Sequence, residues 1–315
     1  MKDFRDWGVK MRYFPENNYK ALWFNLKTIR LGEGRAIELS PDLSEFYDVG
    51  INTLCNAGCD FCYVSAGGKG INYPDICETW RKWMDTFEEH EENGVTITTK
   101  PFQIAIGSTG EPTLHPEFCE FLETVHDTNV VPNYTTNGIL LSDFYNKSNS
   151  SNRKLAERII YYTGAFTGGV AVSFGNKHIR DKAKLAINAL LGYGNTNVNI
   201  HHLISTKESV DEFVKEWLEY GDSILYHVLL PLMPAGRSTK GIEDGVFEFL
   251  EEVIEKNGIK NVAFGAHFIK YLRTSKIKTW LYDEECFSKN IILTKDCIKI
   301  TPSSFDLNPI KIINL

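Results

Sequence analysis

From Phe46 onward, short runs rich in β-forming residues alternate with longer stretches whose apolar residues recur at helical spacing. Such alternation restricts a chain to repeated βα units around a parallel sheet. Six units can be read, with strands predicted over residues 46–54, 102–107, 130–135, 169–174, 197–204 and 224–230. The predicted helices carry one-sided apolar stripes: Phe118, Phe121, Leu122 and Val125, then Val210, Phe213, Val214, Trp217 and Leu218, and last Val246, Phe249, Leu250, Val253 and Ile254.

The expected fold class is α/β, a partial (βα)6 TIM-like barrel, and a chain of 315 residues that is 43% hydrophobic is long enough for it. Two further strand-like runs, 21–24 and 28–31, precede a turn signal at Gly32, Glu33 and Gly34 and predict an N-terminal hairpin. The domain boundaries expected from these patterns are an N-terminal extension over 1–43, a barrel core over 44–265 and a C-terminal tail over 266–315, with strand-like runs at 291–293 and 298–300. The Ser and Asn tract 148–152 marks a loop, and there are no internal repeats.

The net charge of −7 argues against a surface built throughout to hold polyanions. A local basic patch stays open, since Lys270, Arg273, Lys276 and Lys278 are interleaved with Phe268, Tyr271 and Trp280. Seven cysteines, an odd number, with no apolar signal segment do not form a disulfide framework. No window approaches the roughly 18 uninterrupted apolar residues of a membrane span, so a cytoplasmic protein without membrane attachment is expected.

The strongest chemical signal is Cys55-Asn56-Ala57-Gly58-Cys59-Asp60-Phe61-Cys62, three thiols spaced C-x3-C-x2-C directly after the first predicted strand. That position is the C-terminal mouth of a barrel, where catalytic residues gather. Iron-sulfur clusters are held by Cys thiolates, usually four, so three ligands on one loop leave one iron open. The competing reading is a zinc site with Cys77 or a histidine as fourth ligand, although this spacing is unusual for zinc. Cys119, isolated beside Phe118, reads as a core residue.

With Phe61 as its aromatic, this motif resembles the C-x3-C-x-aromatic-C hallmark of the radical S-adenosylmethionine (SAM) superfamily, and the resemblance covers about residues 46–237. It implies a 4Fe-4S cluster on Cys55, Cys59 and Cys62 whose unique iron is chelated by the amino and carboxylate groups of S-adenosyl-L-methionine. One electron then breaks a carbon-sulfur bond to give methionine and a 5'-deoxyadenosyl radical. Gly107-Ser108-Thr109-Gly110-Glu111-Pro112 is similar to the family's Gly-Gly-Glu-Pro segment, which contacts the methionine amino group. There Gly110, Glu111 and Pro112 match, while Thr109 replaces the first glycine and restricts the backbone.

Asn137 stands in a Thr-Asn-Gly turn like the family's, and Ser173 at the position that contacts ribose or carboxylate. Alternation in the fifth strand puts Asn199, His201 and Leu203 on the lumen side and Ile200, His202 and Ile204 on the other, so His201 is expected to touch cofactor or substrate. Met233, in Leu230-Pro231-Leu232-Met233-Pro234, resembles the apolar segment lying on adenine. Two late cysteines, Cys286 and Cys297, are too few for a second cluster, even with Ser303 and Ser304 nearby, so the tail reads as a cluster-free version of the family's extensions.

The reading is an enzyme that abstracts a hydrogen atom from its substrate, with an electron donor such as flavodoxin or ferredoxin as partner. The hairpin and the mixed-charge tail point to a peptide or protein side chain as substrate, and the Lys270 to Lys278 cluster to a nucleotide or RNA base as the alternative. A non-catalytic iron-sulfur electron carrier is the rival from a different functional class.

Overall fold

The computed structural model describes residues 7–14, 19–24, 27–31, 44–146, 148, 150–195, 197–275, 288–301 and 308–315. The described chain opens on β1 (Val9–Phe14), β2 (Tyr19–Phe24) and β3 (Lys27–Leu31), and β4 (Phe46–Gly50) starts the main sheet. After α1 (Ile76–Met84), a hairpin of β5 (Glu89–Glu92) and β6 (Val95–Thr98) returns to the first three strands. The βα alternation then runs through β7 (Gln103–Ile106), α2 (Phe118–Asp127), β8 (Val131–Thr136), α3 (Ile139–Ser142), α4 (Ser150–Phe166), β9 (Gly169–Ser173), α5 (Arg180–Gly192) and β10 (Val198–Ile204). It continues with α6 (Lys207–Tyr220), β11 (His227–Pro231), α7 (Val246–Asn257), β12 (Val262–Phe264) and α8 (Ile269–Leu272), and closes on β13 (Ser288–Thr294), β14 (Cys297–Thr301) and β15 (Lys311–Asn314).

The main sheet has the order β12-β11-β10-β9-β8-β7-β4-β13-β14-β15. Neighbours from β12 to β13 are parallel, and β14 and β15 add antiparallel strands at the far edge. The fold is thus α/β with a parallel sheet, and among the described residues it is hydrogen-bonded as an open run whose edges are β12 and β15. All six predicted strands are present, and β13 of the expected tail joins the sheet beside β4.

Strand alternation explains the core. Tyr47 and Val49, Ile104 and Ile106, Val170 and Val172, and Val198 and Ile200 point to the helices, where they meet the buried stripe Phe118, Phe121, Leu122 and Val125. Each large apolar side chain removed from water contributes about 1.5–3 kcal/mol. The α6 stripe needs correction: Val210 and Phe213 are buried, but Leu218 is 68% exposed while Glu216 is buried in its place.

The expected hairpin is real, as β2 and β3 pair antiparallel, but it belongs to a five-stranded sheet of order β3-β2-β1-β6-β5. Tyr19, Ala21 and Trp23 of this sheet pack on Phe102 and Val131 at the N-terminal ends of β7 and β8. Lys10 and Arg12 are buried beneath it; Lys10 donates to the carbonyl of Asn129, and Arg12 to those of Thr99 and Lys100 at 2.8 and 2.7 Å. The small sheet therefore covers the N-terminal end of the parallel sheet, opposite the strand ends that carry the cysteine loop.

Candidate active site

The cysteine loop leaves the sheet just beyond β4 and folds back on its own root. Thr53 N donates to Ile71 O at 2.8 Å and Cys55 N to Gly67 O at 3.1 Å. From the other side, the chain after β11 clamps the loop: Arg237 donates through Nε to Cys59 O at 2.7 Å and through Nη1 to Ala66 O at 2.9 Å. Its backbone N donates to Cys62 O at 3.0 Å. Gly236, at φ 61°, lies against the Cys62 and Tyr63 carbonyls, where no Cβ fits.

All three thiols are free and partly exposed. Two side-chain amides point at them: Asn176 Nδ2 reaches Cys59 Sγ at 3.3 Å, and Asn137 Nδ2 approaches Cys55 Sγ at 3.9 Å while donating to Asn56 Oδ1 at 2.8 Å. Burial pushes the Cys55 and Cys59 thiols up, and neighbouring thiols add to the effect. Amide donors aimed at sulfur fit thiolate ligands, since N–H groups favour the charged form. Among the described residues no three His, Cys, Asp or Glu side chains converge as a single metal ion requires. Cys77, the alternative zinc ligand, is buried in the core on α1.

The segment after β7 is fitted to the loop root. A Cβ at Gly110 would lie 2.5 Å from Asn52 Oδ1 and 2.8 Å from the Asn52 and Leu54 carbonyls, so only glycine allows this approach. Thr109 fits because residue 50 is glycine: its side chain occupies the space above Gly50, and its hydroxyl donates to Asn52 O at 2.6 Å. Glu111 is 3% exposed, and its carboxylate accepts from Thr113 Oγ1 at 2.6 Å, Thr136 Oγ1 at 2.8 Å and Asn137 N at 2.7 Å. Burial raises its pKa against these donors. The carboxylate thus fixes Asn137, whose amide faces Cys55, and Pro112 opens the short helical turn that Glu111 caps.

Ser173, the last residue of β9, and His201, in the middle of β10, are register partners. His201 is half-buried on the sheet face away from the helices, and burial holds its ring neutral, down to about 4. A cavity of about 240 Å³ opens beside Phe61, between Phe174, Gly175, Leu203 and Leu232 and the start of α6. Phe61 lies over Gly175, where a Cβ would meet its ring at 3.1 Å. Leu232 lines this cavity, and Met233 follows it in the chain.

No protein-family model and no curated protein sequence matches the chain. Solved structures do. Streptococcus suis SuiB bound to precursor peptide SuiA matches with a TM-score of 0.57 at 14% identity, over 84% of this chain and 60% of SuiB. Native anSMEcpe with bound AdoMet matches with a TM-score of 0.52 at 15% identity, over 85% of this chain and 77% of that one. Both are radical SAM enzymes. This chain has the radical SAM fold.

The chain spans about three fifths of the length of SuiB. Within the radical SAM fold, five neighbouring strands bring together Cys55, Cys59 and Cys62 after β4, Gly110 after β7, Asn137 after β8, Ser173 at the end of β9 and its register partner His201 on β10. Of the basic cluster, Lys270 stacks on Tyr271 at 4.6 Å, while Lys276, Lys278 and Trp280 lie outside the described residues, as do Cys286, Ser303 and Ser304. Cys297 is on β14. Among the described residues no helix is long and apolar enough to cross a membrane.

Sequence reading missed two features. Asn176 contacts both Ala57 O, at 3.0 Å, and Cys59 Sγ, and its only sequence signal is a cap-type residue before Lys177 and His178. The satisfied histidine of β10 is His202, whose Nδ1 lies 3.0 Å from Glu216 and whose Nε2 lies 2.9 Å from His227 Nδ1. Glu216 is also 3.2 Å from Arg180.

Proposed function

We propose that the chain is a radical SAM enzyme that holds a 4Fe-4S cluster on Cys55, Cys59 and Cys62 and acts on a peptide. The observation that carries this reading is a loop of three partly exposed thiols at the C-terminal mouth of a parallel sheet, with the Asn176 amide directed at Cys59 sulfur. Three thiolates leave one iron for a non-protein ligand. When bound there, the cluster and S-adenosylmethionine supply a deoxyadenosyl radical that takes a hydrogen atom from substrate.

The chain's own residues position these groups. Arg237 and the Gly110 turn hold the cysteine loop from two sides, and Glu111 fixes Asn137 against Asn56 and Cys55. Ser173 and His201 stand at the mouth for polar contacts, with His201 as a neutral donor or acceptor, and Phe61 and Leu232 offer an apolar wall for the adenine. The peptide bound in the SuiB structure supports a peptide substrate here. Flavodoxin or ferredoxin fits as the external one-electron donor.

The test is product formation. Anaerobically reconstituted, dithionite-reduced protein given S-adenosylmethionine should form methionine and 5'-deoxyadenosine, and Cys59→Ala should abolish both. Wild-type protein with full iron content and neither product would make the electron-carrier reading the correct one.

A further inference from the structure

The five-stranded sheet is patterned inside out. A sheet with one packed face ordinarily turns its apolar residues inward and its polar ones to water. Here β1 turns Lys10 and Arg12 toward the packed face, β3 turns Thr28 and Arg30, and β6 turns Thr96 and Thr98. Of the five strands only β2 sends apolar side chains there, Tyr19, Ala21 and Trp23.

The outer face is correspondingly apolar. Strand register lays two rows across it: Lys27, Phe24, Val9, Val95 and Glu92 in one, and Ile29, Leu22, Met11, Ile97 and His90 in the other. Phe24 is 43% exposed, Ile29 48% and, beyond the second row, Leu31 56%. Adjoining apolar side chains over several hundred Å² of surface mark an interaction site. Five strands about 4.8 Å apart and up to six residues long, at about 3.4 Å each, make this face roughly 24 by 20 Å, or about 480 Å². Two such faces pressed together bury roughly 960 Å², below the roughly 1,200–2,000 Å² of a stable complex and in the range of a reversible one.

The charges choose the occupant. The first row ends in opposite charges, Lys27 on the edge strand β3 and Glu92 on the edge strand β5, both exposed and neither ion-paired among the described residues. A two-fold axis parallel to the strands stacks this row on its own reverse, with Lys27 over the second copy's Glu92, Phe24 over Val95 and Val9 over its counterpart. In the second row the same axis brings Leu22 over Ile97 and Met11 over its counterpart. An axis across the strands would instead gather both basic edges together and both acidic edges together. Sheets packed face to face keep their strand directions within about 30°, as the first axis does.

We propose that the outer face of the β3-β2-β1-β6-β5 sheet is a homodimer interface, occupied by a second copy of this chain about a two-fold axis parallel to the strands. The cysteine loop lies at the other end of the parallel sheet, so the dimer leaves both active-site mouths open.

Sedimentation equilibrium of the full chain from about 1 to 200 µM tests this. Wild-type protein should pass from monomer to dimer across that range, and Phe24→Asp should weaken association at least about tenfold. Phe24 is exposed in the single chain, so an unchanged melting temperature in dilute solution shows that the variant folds. Charge tests the axis: Lys27→Glu and Glu92→Lys should each weaken the dimer about threefold or more, and the double variant, which restores opposite charges, should recover wild-type association. Both are exposed edge positions, so these variants decide the matter even where Phe24→Asp does not fold. A chain that stays monomeric throughout, its outer face then covered by another protein or another part of the chain, would overturn the proposal. So would a dimer indifferent to a folded Phe24→Asp, or a double charge variant that fails to recover.

Discussion

Asn176 donates its side-chain amide to the sulfur of Cys59 at 3.3 Å, while the oxygen of the same amide accepts from His178 N at 3.0 Å. The second bond fixes the direction of the first. Hydrogen bonds to cluster sulfurs favour the more negative, reduced state and raise its potential. Asn176→Ala should keep about four irons but lower the potential by about 20–65 mV, the one-electron equivalent of a bond worth roughly 0.5–1.5 kcal/mol. Asn176→Asp keeps the capping oxygen and replaces the donor by a negative charge, so its potential should fall further. Potentiometric titration that finds all three proteins alike would confine Asn176 to capping.

Gly50 and Thr109 should behave as a coupled pair. A Cβ at residue 50 overlaps the Thr109 side chain, so Gly50→Ala is expected to cost about 1–3 kcal/mol in urea unfolding. Thr109→Gly removes the obstacle and should recover much of that loss when combined with Gly50→Ala. Additive effects in the double-mutant cycle would contradict the contact.

The histidine pair predicts acid sensitivity. Burial holds His202 and His227 well below the usual imidazole range, so the folded protein keeps them neutral while the unfolded chain takes up protons below about pH 6.5. Stability therefore falls as pH drops from about 6.5 toward their folded values. His227→Gln removes one such site and should flatten the dependence between pH 6 and 5 by up to about 1.4 kcal/mol per pH unit. Parallel curves for variant and wild type would show that His227 is protonated in the fold.

Asp48 contributes with the opposite sign. Its carboxyl rises from 3.8 to about 7 on folding, so the unfolded chain ionises first and stability declines as pH rises from about 4 to 7. Asp48→Asn should be more stable than wild type by about 2 kcal/mol at pH 8, after allowance for its contact with solvent, and by little at pH 4. A loss of stability at pH 8 would mean that Asp48 is paired.

What the sequence disclosed and what it hid follow from the physics of each signal. Apolar periodicity placed eight of the ten strands of the main sheet, missing the short β12 and the terminal β15, and it placed the α2 stripe, because Phe118, Phe121, Leu122 and Val125 are buried by hydrophobicity alone. It failed where burial is polar: Lys10 and Arg12 disguised β1, and Glu216 took the inward position on α6 that Leu218 was expected to fill. The cysteine loop was legible from spacing. The fitting of Thr109 above Gly50, the amide of Asn176 and the pairing of Asp48 with Asn290 join residues 59, 117 and 242 positions apart in the chain, and only the tertiary structure brings them together.

The central claim is an open iron on a three-cysteine cluster, and electron paramagnetic resonance of the reduced, reconstituted protein tests it most directly. Adding S-adenosylmethionine should change the signal of the wild-type cluster, as an amino-carboxylate chelate replaces weaker ligands on one iron. A spectrum that is the same with and without S-adenosylmethionine, in protein carrying its full complement of about four irons, would contradict the account.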